Sequence, residues 1–102
     1  MKYFVVEGII INADLMNDNI MKEHMEYTQK AMDKGVILMS GLKEDMSGGL
    51  FVMKSEAFEE IESYLDNEPL KVYGIQEYKV IEFSPHYFNK DPKEWFTNLS
   101  DK

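Results

Sequence analysis

At 102 residues, 44% of them hydrophobic and 13% aromatic, the chain has the size and composition of one globular domain built around one core. Nineteen acidic against eleven basic residues leave a formal charge of −8, which repels phosphate backbones and anionic lipid surfaces; neither nucleic acid nor membrane is an expected partner. With no cysteine, disulfides, thiolate catalysis and cysteine-ligated zinc are excluded together.

Residues 3–11 are rich in β-branched and aromatic side chains around Gly8, the composition of a strand with apolar groups on both faces. The stretch is too short to span a membrane, and Lys2 leads into it without a signal-peptide pattern, so a cytoplasmic location is the default expectation. The glycosylation-like triplet Asn98-Leu99-Ser100 is discarded for the same reason. Residues 12–19 are polar turn material in which Asp18 or Asn19 can cap the next helix. Over residues 20–34, Met21, Met25, Thr28, Ala31 and Met32 recur at three- and four-residue spacing, which predicts an amphipathic helix ended by Gly35.

Two short apolar runs, residues 36–42 and 50–54, flank a charged loop with Gly48-Gly49 and read as a hairpin; no lysine or helix-opening hydroxyl follows these glycines as a phosphate loop requires. Ser55 can cap a second helix whose buried stripe is Phe58, Ile61 and Leu65, and residues 66–69 break it. After a further helical turn expected at residues 70–74, residues 75–83 return to strand composition. The order β-α-β-β-α-β with right-handed crossovers defines a ferredoxin-like α+β domain, a four-stranded antiparallel sheet with both helices on one face. The opposite face then needs a cover, which a second copy of the chain packed face to face would supply. The alternative cover is the tail. Residues 1–84 therefore form the domain and 85–102 a tail, in which Asp91, Pro92 and Glu94 predict a short helix carrying Trp95, Phe96 and Leu99 onto the body or a partner subunit.

Chemistry narrows to few residues. His24 falls on the apolar side of the first helix, where its ring serves either as a general acid or base near neutral pH or as a partly buried group satisfied by a carbonyl or carboxylate. His86 reads as surface. Asp66 and Glu68 follow the second helix, where its dipole disfavours carboxylates; either Glu68 turns inward toward a cation or imidazole, or both are solvated loop acids. The eight methionines read as core filler, and two histidines without a supporting pattern predict no metal site.

The spacing from His24 through Asp33 and Gly35 to Gly41, then Gly48-Gly49 and Glu68-Pro69 ahead of Gly74, resembles the YCII-related (YciI-like) family over residues 3–83. The resemblance implies a dimeric α+β barrel and a small cofactor-free enzyme with a His–carboxylate pair in a cleft, related in fold to muconolactone isomerases, some members acting on chlorinated hydroquinones. Carried over by position, His24 is the proton-transfer residue, and Glu68 occupies the place of the family's Asp before proline. Asp33 is a second candidate carboxylate, and Leu42 stands where the family has proline. Tyr27 and Gly41 are expected to line the cleft and contact substrate, and a partner subunit's tail to come near it. The expectation is an acid–base enzyme of lyase or isomerase type acting on a small cyclic or aromatic molecule. Its rival is a non-catalytic dimer that binds a small molecule or another protein. A carboxylate within hydrogen-bond reach of His24 in an open pocket favours the first; an imidazole bonded only to backbone in a closed apolar space favours inert structure.

Overall fold

The structure, a computed structural model, describes residues 1–96. Four strands, β1 (Lys2–Ile10), β2 (Ile37–Leu42), β3 (Gly49–Ser55) and β4 (Gln76–Phe83), form one antiparallel sheet in the order β2-β3-β1-β4. Helix α1 (Asp18–Asp33) connects β1 to β2, and α2 (Phe58–Asp66) with the single-turn α3 (Pro69–Val72) connects β3 to β4. This is the ferredoxin-like arrangement expected from the element order.

Local signals explain most element ends. The cap of α1 is Asn17 rather than Asp18 or Asn19: its extended backbone places the side-chain oxygen 2.9 Å from the Ile20 amide, satisfying a free donor of the first turn. Gly35 closes α1 and Gly74 closes α3, each at φ near 75° (74° and 75°), where the following residue's amide returns to a carbonyl of the last turn. Ser55 does not cap α2. It remains paired in β3, its hydroxyl donates to the Ala57 carbonyl, and the helix starts later with no side-chain cap.

Alternation along the strands divides the sheet. Phe4 and Val6 of β1, Met53 of β3 and Ile37 of β2 face the helices and pack with Ala31, Ile61 and Leu65. The inward stripe of α1 runs through Ile20, His24 and Ala31 rather than through the methionines, since Met25 is 62% exposed. Phe58 is 38% exposed, although its ring still meets Phe4. A second apolar cluster, Ile20, Leu70 and Ile75, sits toward the start of α1.

On the other face of the sheet Tyr3, Ile9, Leu50, Ile81 and Phe83 are each more than a third open to solvent. The described part of the tail, residues 85–96, leaves them open. Asp91 caps a one-turn α4 (Pro92–Trp95), yet Tyr87, Phe88 and Trp95 are largely exposed and not docked on the body. Leu99 and the Asn98-Leu99-Ser100 triplet lie outside the described residues. Among the described residues no helix is long and apolar enough to cross a membrane.

Candidate active site

A cleft of about 510 Å³ opens where the two apolar clusters meet, bounded by α1, the β2–β3 turn and the start of β4. His24 reaches it from the inward stripe of α1, and Glu68 from the residue before α3. The helix-dipole objection to Glu68 disappears in the fold. Asn67 ends α2, and Glu68 begins a new turn, its Oε2 accepting the Leu70 amide at 2.9 Å with Pro69 at the first helical position.

Glu68 is only 2% exposed, and a carboxylate so buried is costly unless donors surround it. Three do. His24 Nδ1 lies 2.5 Å from Oε1, while the Tyr78 hydroxyl, at 2.6 Å, joins the Leu70 amide on Oε2. Tyr78 in turn accepts from Gln76 Nε2 at 2.9 Å. Gly8 on β1 makes room for this chain: a Cβ there would stand 2.6 Å from Gln76 Nε2. Burial first, then the bond to Glu68, raises the Tyr78 phenol well above its ordinary value, so it stays a donor. Tyr64 is raised as well, mainly by burial, with the charges of Tyr27 and Glu68 adding to it.

This network assigns the tautomer of His24. A carboxylate that takes three donors leaves Nδ1 to carry its proton, so the neutral ring presents a lone pair on Nε2, and the 29% exposed side chain gives that atom access to the cleft. Such an imidazole can accept a proton through Nε2 while the carboxylate behind it balances the charge that forms.

The other sequence candidates separate. Gly41 lines the cleft. Tyr27 does not: its hydroxyl donates to the Tyr64 carbonyl at 2.7 Å and its ring stacks on Tyr64 at 4.7 Å, so it lines a smaller depression on the far side of that stack. Asp33 is exposed at the opposite end of α1, bonded to Gln29, and is not among the groups facing His24, because nine residues of helix carry it about 13 Å away along the axis. Asp66 is a solvated loop acid paired with Lys71, and His86 is exposed. Sequence reasoning missed Tyr78 and Gln76 as site residues; their period-two spacing on one face of β4 was the available signal. Among the described residues no three acidic or histidine side chains converge as a metal site.

A strand–helix scaffold with a histidine on its first helix and a carboxylate ahead of the last strand defines the class, and sequence comparison supplies the family: the YCII-related domain matches residues 1–84, and the chain belongs to that family. Among solved structures it is similar to the 5-chloro-2-hydroxyhydroquinone dehydrochlorinase of Burkholderia phenoliruptrix in complex with 2,5-dihydroxybenzoquinone. That match has a TM-score of 0.68 and 19% identity, and covers 80% of this chain and 93% of the dehydrochlorinase. No curated protein matches the sequence.

Proposed function

We propose that this protein is a small enzyme with no resident cofactor that transfers a proton on a small cyclic or aromatic substrate, with His24 as the acid–base residue and Glu68 as the group that orients and charge-balances it. The observation that carries the reading is the His24–Glu68 contact at 2.5 Å at the inner end of an open cleft. In the forward step an acidic O–H or C–H bond of the substrate breaks, its proton goes to Nε2, and the electron pair stays on the substrate. Gly41 borders the substrate. Asp33 and Tyr27, placed elsewhere, have no part in the step. The structural likeness to a dehydrochlorinase solved with a quinone supports a ring as substrate.

The reading includes a homodimer closed over the bare sheet face, whose apolar exposure on three strands is otherwise unexplained, a cytoplasmic setting as the sequence predicts, and residues 1–84 as the working domain with 85–102 as its tail. A monomer in sedimentation equilibrium would remove the dimer from it.

The test is a turnover screen over small phenols, hydroquinones and cyclic ketones, 5-chloro-2-hydroxyhydroquinone included, with wild type and His24→Gln in parallel. The variant is expected to keep its circular dichroism and lose about 10²- to 10⁴-fold in rate. Equal turnover by the two proteins would refute the mechanism and leave the non-catalytic binding dimer.

A further inference from the structure

Eleven lysines and no arginine are the basic side chains of this chain, and none of the described ones lines the His24 cleft. Glu68 is already held by three donors, and the remaining polar lining, Thr28 and Ser40 among it, is neutral. A carboxylate or phosphate entering here would shed water and meet no lysine, inside a protein of net charge −8. The walls are instead apolar and soft. Met16, Met21 and Met46 stand with Leu42 and Phe51, and thioethers pack favourably against ring edges.

Met46 is out of place by every local criterion. Its φ of 63° makes it the one non-glycine residue in the left-handed region among the described residues, a position glycine occupies at lower cost. Packing does not compensate, because the side chain is 65% exposed. Nor does the turn depend on that side chain: backbone bonds from Met46 to Lys43, from Lys43 to Gly48 and from Ile10 to Ser47 hold it, with Asp45 clasping Ser47. An unfavourable conformation at the rim of a cleft, carrying a large apolar side chain that the fold does not use, points to a ligand contact.

We propose that Met46 is the residue that grips the ring bound in this cleft and sets the preference for an uncharged ring over an anionic one. The proposal deepens the acid–base reading and rests on it for the ring, yet its test reads binding and not turnover. A failure here leaves the role of His24 standing, and an inert His24 leaves the ring preference standing.

The probes are resorcinol and its anionic counterpart 3,5-dihydroxybenzoate, titrated at pH 7 against wild type, Met46→Gly and Met46→Asn while the His24 ring protons and the amides of residues 46–50 are followed by NMR. Resorcinol is expected to bind wild type at least tenfold more tightly than the carboxylate. Met46→Gly is expected to raise Tm by a few degrees, through relief of the backbone, and to weaken resorcinol about fivefold. Met46→Asn, which also tolerates the left-handed region, should weaken it similarly. Absence of resorcinol binding at millimolar concentration, equal affinity for the carboxylate, or unchanged affinity in Met46→Gly would each overturn the proposal. So would a Met46→Gly protein that loses Tm and affinity together, since that result makes Met46 a structural residue.

Discussion

Two depressions lie side by side between the helices and the sheet, separated by the stacked rings of Tyr27 and Tyr64, and Tyr64 lines both. The smaller, of about 290 Å³, has an apolar floor of Ala31, Met53 and Ile61 rimmed by Lys30, Lys34, Lys54 and Glu60, all four exposed. The larger contains a buried carboxylate and an imidazole, and no lysine. Shape alone does not tell them apart. The difference is where desolvation has been accepted: exposed lysines at the end of α1 keep their water and favour the helix dipole, whereas Glu68 was taken out of water and needed three donors to be tolerable. An arrangement that costs folding free energy and sets an imidazole at an opening is the reason the second depression is the one proposed as the site.

The comparison breaks first at Glu68. Glu68→Ala leaves the Tyr78 hydroxyl, the Leu70 amide and His24 Nδ1 without their acceptor and should cost about 3 kcal/mol in urea unfolding. Glu68→Gln keeps the shape but cannot balance an imidazolium, so it should retain more of that stability yet lose at least about 100-fold in rate. Equal stability for wild type and Glu68→Ala would show that the carboxylate is not the organising group.

Tyr78→Phe gives a smaller effect. Removing one of the three donors should cost about 1.5 kcal/mol at pH 8. The same variant sharpens the pH dependence. Tyr64 and Tyr78 are raised above their ordinary 10.0 in the folded protein, so the unfolded chain releases these protons first as pH rises. Their contribution is therefore complete below pH 10 and declines above it. Urea midpoints between pH 8 and 11 should fall with pH in wild type and fall less steeply in Tyr78→Phe; parallel curves would contradict the burial of that phenol.

The smallest effect is expected across the Tyr27–Tyr64 stack. Lys34→Gln, in the rim of the other depression, should change stability by no more than about 0.5 kcal/mol and leave turnover unaltered. A rate loss there comparable with that of Glu68→Gln would erase the distinction between the two depressions.

Much of the architecture was legible from local pattern. Strand composition and period-3.6 apolar spacing, with Gly35 as a helix stop, specify the element order, and a right-handed crossover rule turns that order into the sheet. His24 stood out because a titratable ring on the inward stripe of a helix must find a partner. Other readings failed for identifiable reasons. Ser55 looked like a cap but its strand runs one pairing further, and Tyr27, one turn from His24, points to the far side of Tyr64. Asp33 shares a helix with His24 but stands too many turns away.

By itself, then, the sequence determined the element types, the ferredoxin-like topology, the absence of thiol chemistry and the family, because these follow from short-range periodicity, composition and spacing along the chain. Only the tertiary structure decided that Glu68 rather than Asp33 meets His24, that Tyr78 and Gln76 hold it there, and that Gly8 leaves them room. Those contacts join residues 44 apart on the helix side and bring β1 and β4 together in register, and hydrogen bonds across such separations exist only once the sheet and helices have packed.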